Sequence, residues 1–128
     1  MAPWRPGVGP RPEEPVLDVD SATLIRHGAD LFDHGAWWEA HCVWELQWRA
    51  EPLGSARRQA LQALIQTAAY HLKDAPELAR AGARLKQRAL ERLDSAVGAG
   101  LTQLEGLDLV TLRSELAEHV LGGPPLKL

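Results

Sequence analysis

The sequence predicts an all-α fold, a single-domain bundle of about five helices, on three observations. Apolar residues return at three- and four-residue spacing through five successive stretches. Capping residues, glycines or prolines punctuate those stretches. No segment alternates with period two for long enough to make a strand. The length, 128 residues, suits one domain with a hydrophobic core of its own.

Residues 1–15, MAPWRPGVGPRPEEP, read as a flexible proline-rich arm with Trp4 as its anchor, which leaves residues 16–128 for the helical domain. The first helix starts at an N-cap on Asp20 or Ser21. It uses Leu24, Ile25, Gly28, Leu31 and Phe32 as its inner face and stops at Gly35. The second, from residue 36 to 50, ends before Pro52, because a residue preceding proline is pushed out of the α region. The third, from about Ser55 to Lys73, carries Leu61, Leu64, Ile65, Ala68 and Leu72 among further alanines, a composition that suits a closely surrounded central helix. Asp74, Pro76 and Glu77 read as the start of the fourth, which closes at Gly98 and Gly100. Residues 98–107 have no period, although Leu101, Leu104 and Leu107 are placed to pin the loop to the core. The fifth starts at Asp108, uses Leu109, Leu112, Leu116 and Val120, and stops at Gly122, Gly123 and Pro124.

Composition narrows the class of protein. No apolar run approaches the roughly 20 residues that span a bilayer, and the N-terminus has no apolar core of a secretion signal, so a cytoplasmic protein without a membrane role is expected. The single cysteine, Cys42, agrees with a reducing compartment and excludes a multi-cysteine zinc cluster. The net charge of -3 and the absence of a recognition motif argue against nucleic acid. Arg80, Arg84, Arg88 and Arg92 form an i+4 ridge, with Arg57 and Arg58 available beside it. Glu77 and Glu91 make this a solvated face.

The second helix holds four of the five tryptophans in FDHGAWWEAHCVWELQWR. On an ideal helix Trp37, His41, Trp44 and Trp48 share one narrow stripe, the core seam, with Glu45 one turn beyond His41 at its border. Trp38 stands about 100° off that stripe and is a candidate for a homodimer contact or a pocket rim. Cys42 reads as a small buried or half-buried hydrophobe.

Phe32, Gly35, Trp37, Glu39, Ala40, His41, Glu45 and Trp48, followed by Leu64, Ile65, Gln66, Ala68 and His71 and then Gly82, Ala83 and Leu85, resemble the small helical proteins of domain-of-unknown-function family 309. The resemblance covers about residues 24–94 and implies a helical fold with no assigned activity. One departure is visible: Cys42 stands where members usually carry a second acid.

The candidate polar cluster is Glu39, His41, Glu45, Gln66 and His71, with Trp37, Trp44 and Trp48 as a pocket wall. Three readings follow. In the first it is a structural hydrogen-bond network inside a non-catalytic interaction module. In the second, His41, Glu45 and His71 hold a divalent metal with open positions, as in a small metal-dependent hydrolase. The third is metal-free acid/base chemistry. Glu39 points about 160° from His41, which favours a role at the helix N-terminus over chelation. Gln66 is expected to meet the cluster. His119, near the end of the fifth helix, is favoured there as a cation without a ligand role.

Overall fold

The structure, a computed structural model, describes residues 20–128. The proline-rich arm, Trp4 and the first four residues of the expected helical domain lie outside the described residues. Five α-helices run in order: α1 (Ser21–Asp33), α2 (Trp37–Ala50), α3 (Ala56–His71), α4 (Ala79–Gly98) and α5 (Leu109–Glu118). The all-α bundle is as the sequence predicts. Between α4 and α5 lies a minimal antiparallel ladder, β1 (Gln103–Leu104) and β2 (Leu107–Asp108), with Gln103 opposite Asp108 and Leu104 opposite Leu107.

Three of the helix starts, among them the expected cap at Asp20, are closed by side chains. Asp20 Oδ1 accepts from the Thr23 amide at 2.8 Å, Ser55 Oγ from Arg58 at 3.1 Å and Asp108 Oδ1 from Thr111 at 3.0 Å, each satisfying an amide with no partner inside its helix. These caps hold both carboxyls below the usual range, through the backbone bonds to Thr23 and Thr111. At the end of α1, Gly35 takes a φ of +78°. Its amide then reaches the Phe32 carbonyl while Ala36 reaches Leu31, a Schellman closure that turns the chain straight into α2.

The central position expected of the third helix is observed. α3 packs between α2 and α4, and Ala60, Leu61, Ala63, Leu64, Thr67 and Ala68 are fully buried along it. Small side chains let two helices approach it on opposite sides. The core continues through Ile25 and Phe32 of α1, Trp44 of α2, Leu93 of α4, and Leu104, Leu109 and Leu116. α1 and α2 meet at Gly28, where a Cβ would lie 2.2 Å from Trp44 Nε1. That nitrogen donates to the Ile25 carbonyl at 3.0 Å, so the indole is both seated and satisfied.

Four local expectations are corrected. α4 begins at Ala79, after a separate 3-10 turn at Pro76–Leu78, because Ala75 before the proline is extended (φ -156°, ψ 144°) and Asp74 caps nothing. One pair of two-residue strands forms where no period was visible, because a ladder of two residues is too short to leave one. Leu104 there is fully buried, with Leu101 and Leu107 packed beside it. α5 ends at Glu118, and Val120 is 73% exposed. Arg57 and Arg58 do not extend the basic ridge: Arg57 bonds Glu51, Glu105 and Ser21, and Arg58 lies 4.0 Å over the Trp48 ring while capping the Trp48 and Glu51 carbonyls.

After α5 the chain turns back across the bundle. Leu126 is buried, Leu121 and Leu128 pack against the core, and Lys127 Nζ donates to the Asp33 carbonyl at the end of α1. The Leu128 amide bonds Asp33 Oδ1 at 2.7 Å. Among the described residues, no helix is long and apolar enough to cross a membrane.

Candidate functional site

Where α2 starts and α3 ends, the two helices bring the predicted residues into two separate groups. The Gly35 turn delivers Trp37 to the first turn of α2, opposite His71 at the last turn of α3. His71 is 4% exposed and enclosed by rings: Trp37 stacks on it at 4.9 Å and 15°, while Phe32 at 5.3 Å and His119 at 5.0 Å meet it edge-on. Tyr70 lies against it at 5.3 Å. Burial, followed by the neighbouring His119, pushes the His71 pKa down to about 4, against a smaller opposing pull from Asp74. The imidazole is therefore neutral at ordinary pH.

His119 is the surprise of this cluster. It follows the last residue of α5, adopts an extended backbone (φ -68°, ψ 143°) and turns inward instead of completing the helix end. The Pro124 carbonyl can only accept, so His119 Nε2 carries the proton and donates to it at 2.9 Å. Nδ1 is then the acceptor, and the Tyr70 hydroxyl donates to it at 2.7 Å. Lys86 Nζ donates to the His119 carbonyl at 2.7 Å. Three elements, α3, α4 and the C-terminal segment, thus meet on one residue. Burial raises the Tyr70 pKa, and Asp74 adds to the rise, so the phenol keeps the proton it donates. Tyr70→Phe is expected to lower stability by about 1 kcal/mol, read as the shift of a urea midpoint. An unshifted midpoint would mean that the hydroxyl does not hold the tail.

The second group lies on the outer side of α2. His41 is half-buried, its Nδ1 lies 3.8 Å from Glu45 Oε2, and its ring stacks on Trp38 at 5.3 Å and 13°. Glu45 is engaged by Arg49 Nη2 at 2.9 Å. Glu39 is exposed in the first turn, and Gln66 is buried on α3. Of the expected tryptophan stripe, Trp44 alone is fully buried, while Trp37 and Trp48 are half-buried at its two margins. The reason is that α2 sits against α1 and α3 along the Ala40–Trp44 line, and His41 falls about 60° round from Trp44. Cys42 is exposed rather than a buried hydrophobe, because its position points away from both neighbouring helices. Partial desolvation, then the Glu45 and Glu39 carboxylates, raise its thiol pKa, which disfavours the reactive thiolate.

His41, Glu45 and His71 are not gathered as three donors around one point. Among the described residues no group of three or more His, Cys, Asp or Glu side chains is placed to hold a metal ion. Two of the nitrogens, His41 Nδ1 and His71 Nε2, are buried without a protein hydrogen-bond partner, as are Trp37 Nε1, Trp48 Nε1 and Gln66 Oε1. Two surface concavities flank Leu128 instead. One, of about 400 Å³, runs between Arg26, Asp30 and Asp33 of α1 and the turn at Glu105–Gly106. The other, of about 110 Å³, lies over Thr111 and Glu115 of α5. Neither contains a residue of the histidine cluster.

Sequence reasoning missed Phe32, Tyr70 and His119 as members of the cluster. Tyr70 is the only tyrosine and is adjacent to His71, a signal that was available; His119 becomes a neighbour only through the tail's return. No curated protein and no solved structure matches the chain. Residues 25–84 match the family described as Domain of unknown function (DUF309). That segment runs from Ile25 in α1 to Arg84 in α4 and contains the Gly28–Trp44 joint and both histidine groups except His119. This segment, which carries most of the site, is what the chain shares with the DUF309 family.

Proposed function

We propose that this protein is a non-catalytic, cytoplasmic helical interaction module in which the buried histidine cluster is structural. The observation that carries this reading is the enclosure of His71 by Phe32, Trp37 and His119. An acid/base histidine needs access to a substrate and a pKa near the working pH. His71 has a pKa of about 4 and almost no exposed surface. The work left to its ring is to fill the junction of α1, α2, α3 and the returning tail. The lone cysteine, exposed and free, supports a reducing compartment.

A small metal-dependent hydrolase on His41, Glu45 and His71 is the alternative. It draws support from the two buried imidazole nitrogens that lack a protein partner, since a metal takes neutral imidazole. Against it, Arg49 already engages Glu45. Elemental analysis separates the two readings. Protein purified without chelator or tag histidines should be metal-free and remain so after exposure to zinc, manganese or iron. Near-stoichiometric metal that His41→Ala abolishes would overturn the structural reading.

A further inference from the structure

We propose that the arginine ridge of α4 is a docking surface for an acidic α-helix of a partner protein. This deepens the interaction-module reading and rests on it. Arg80, Arg84 and Arg88 are all exposed and follow one another about one turn apart. They span about 12 Å along the axis and about 80° of arc. α4 buries Gly82, Ala89, Leu93 and Ala96 on its other side, so the ridge faces away from the bundle. The two acids that make the ridge read as a solvated face in the sequence are not spent on it. Glu91 Oε1 accepts from Gln87 Nε2 at 3.1 Å, and Glu77 lies outside α4, in the 3-10 turn before it. Among the described residues, Arg49, Arg57, Arg92 and Arg113 each donate to a side-chain oxygen, whereas Arg80, Arg84 and Arg88 have no hydrogen-bond or ion-pair partner. Three guanidiniums are thus left without a counter-charge at one-turn intervals. A guanidinium is more weakly hydrated than an ammonium and takes a carboxylate through two parallel bonds, which suits it to being covered by an acidic partner.

Spacing and charge together select the occupant. Carboxylates at every fourth residue of a partner helix repeat at the same rise of about 6 Å and wind through the same angle as the arginines. The two rows run side by side where the helices cross at about -50°. Ala81 and Leu85, half-buried beside the ridge, give the partner an apolar margin to rest on. A nucleic acid fits this face less well. Its phosphates run on past the ridge, whereas the ridge is bounded by Glu77 and Glu91 on a chain whose net charge is -3. Arg92, next in the row, is turned to Gln59 Oε1 at 2.8 Å and does not lengthen it.

The test uses the full chain and the fluorescence anisotropy of a labelled, alanine-rich helical peptide with three glutamates at four-residue spacing. The peptide should bind at low salt, and physiological salt should weaken it several-fold. The same glutamates moved to adjacent positions should bind less tightly. Arg84→Glu, in the middle of the row, should weaken binding by about five-fold or more. Arg80→Gln, Arg84→Gln and Arg88→Gln combined should weaken it by at least about ten-fold. The corresponding triple exchange to Glu should abolish it and create binding to a matching peptide with lysines in place of the glutamates. Helical content should be unchanged in every variant, because none of the three arginines is in the core. No binding at low salt overturns the surface, as does binding indifferent to the glutamate spacing or to the Arg84→Glu and triple Gln variants. Tighter binding of a single-stranded oligonucleotide than of the peptide overturns the choice of partner. A metal-free protein that ignores the peptide overturns this proposal and leaves the structural reading of the histidines standing. A metal-loaded protein overturns that reading, whatever it does with the peptide.

Discussion

Gly28→Ala should destabilise this protein by about 1 to 5 kcal/mol. The substituted Cβ would lie 2.2 Å from Trp44 Nε1 and 2.6 Å from two further ring atoms, distances that no side-chain contact tolerates. The indole cannot retreat freely, because it is fully buried and its N–H is spent on the Ile25 carbonyl. Overpacking of this kind costs about 1–3 kcal/mol and sometimes more. Breaking a buried hydrogen bond adds about 1–3 kcal/mol. Alanine's better helix propensity returns only about 1 kcal/mol. The control is Gly98→Ala at the end of α4, where a Cβ meets nothing within 4 Å. That substitution should leave stability within about 1 kcal/mol of the parent, on the favourable side. Denaturant midpoints measure both. Equal midpoints for the two variants would mean that α1 and α2 do not cross at Gly28.

The second large effect is on acid stability. His71 is held neutral in the fold with a pKa of about 4, against 6.5 for the unfolded chain. Above pH 6.5 neither state is protonated, and the residue's contribution is fully present. As pH falls from 6.5 to 4 the unfolded chain gains a proton that the folded protein refuses, so stability drops, and below pH 4 the loss levels off. The total is about 3 kcal/mol. The groups that face the imidazole are His119 and Tyr70, with Asp74 favouring its charged form from nearby. Carboxylates lose their own contributions in the lower part of this range, so the diagnostic is a comparison. His71→Phe retains a ring between Trp37 and Phe32 and removes the titration. Its stability should fall less steeply than the parent's between pH 6.5 and 4. Parallel curves would show that His71 is accessible to protons in the fold.

These two effects differ in how far they could be foreseen. Gly28 stands on the apolar face of the α1 period, so its burial was legible. Its contact with Trp44 was not, because helical spacing places a residue on a face without saying which neighbour that face meets. His71 was legible as a polar residue on the α3 core helix, and Trp37 and His41 as part of one aromatic stripe. The stripe split because the buried line of α2 centres on Ala40 and Trp44. A difference of about 60° then puts His41 beside Trp38 at the surface and Trp37 over His71 inside.

What the sequence determined by itself is local: five helices, the cap at Asp20, the starts near Ser55 and Asp108, the Gly35 stop, and the alanine-rich centre of the bundle. Those features depend on hydrogen bonds and side-chain directions within a few residues, which periodicity records. Only the tertiary structure decided that Tyr70 and His119, 49 positions apart, share a hydrogen bond. The same holds for the tail that returns to Asp33, 95 residues away, and for the turn at Glu105 that is tied to Arg57. Each of these joins depends on where whole helices pack. The burial that lowers the His71 pKa is a property of that packing, assembled from four ring neighbours on α1, α2, α3 and the segment after α5.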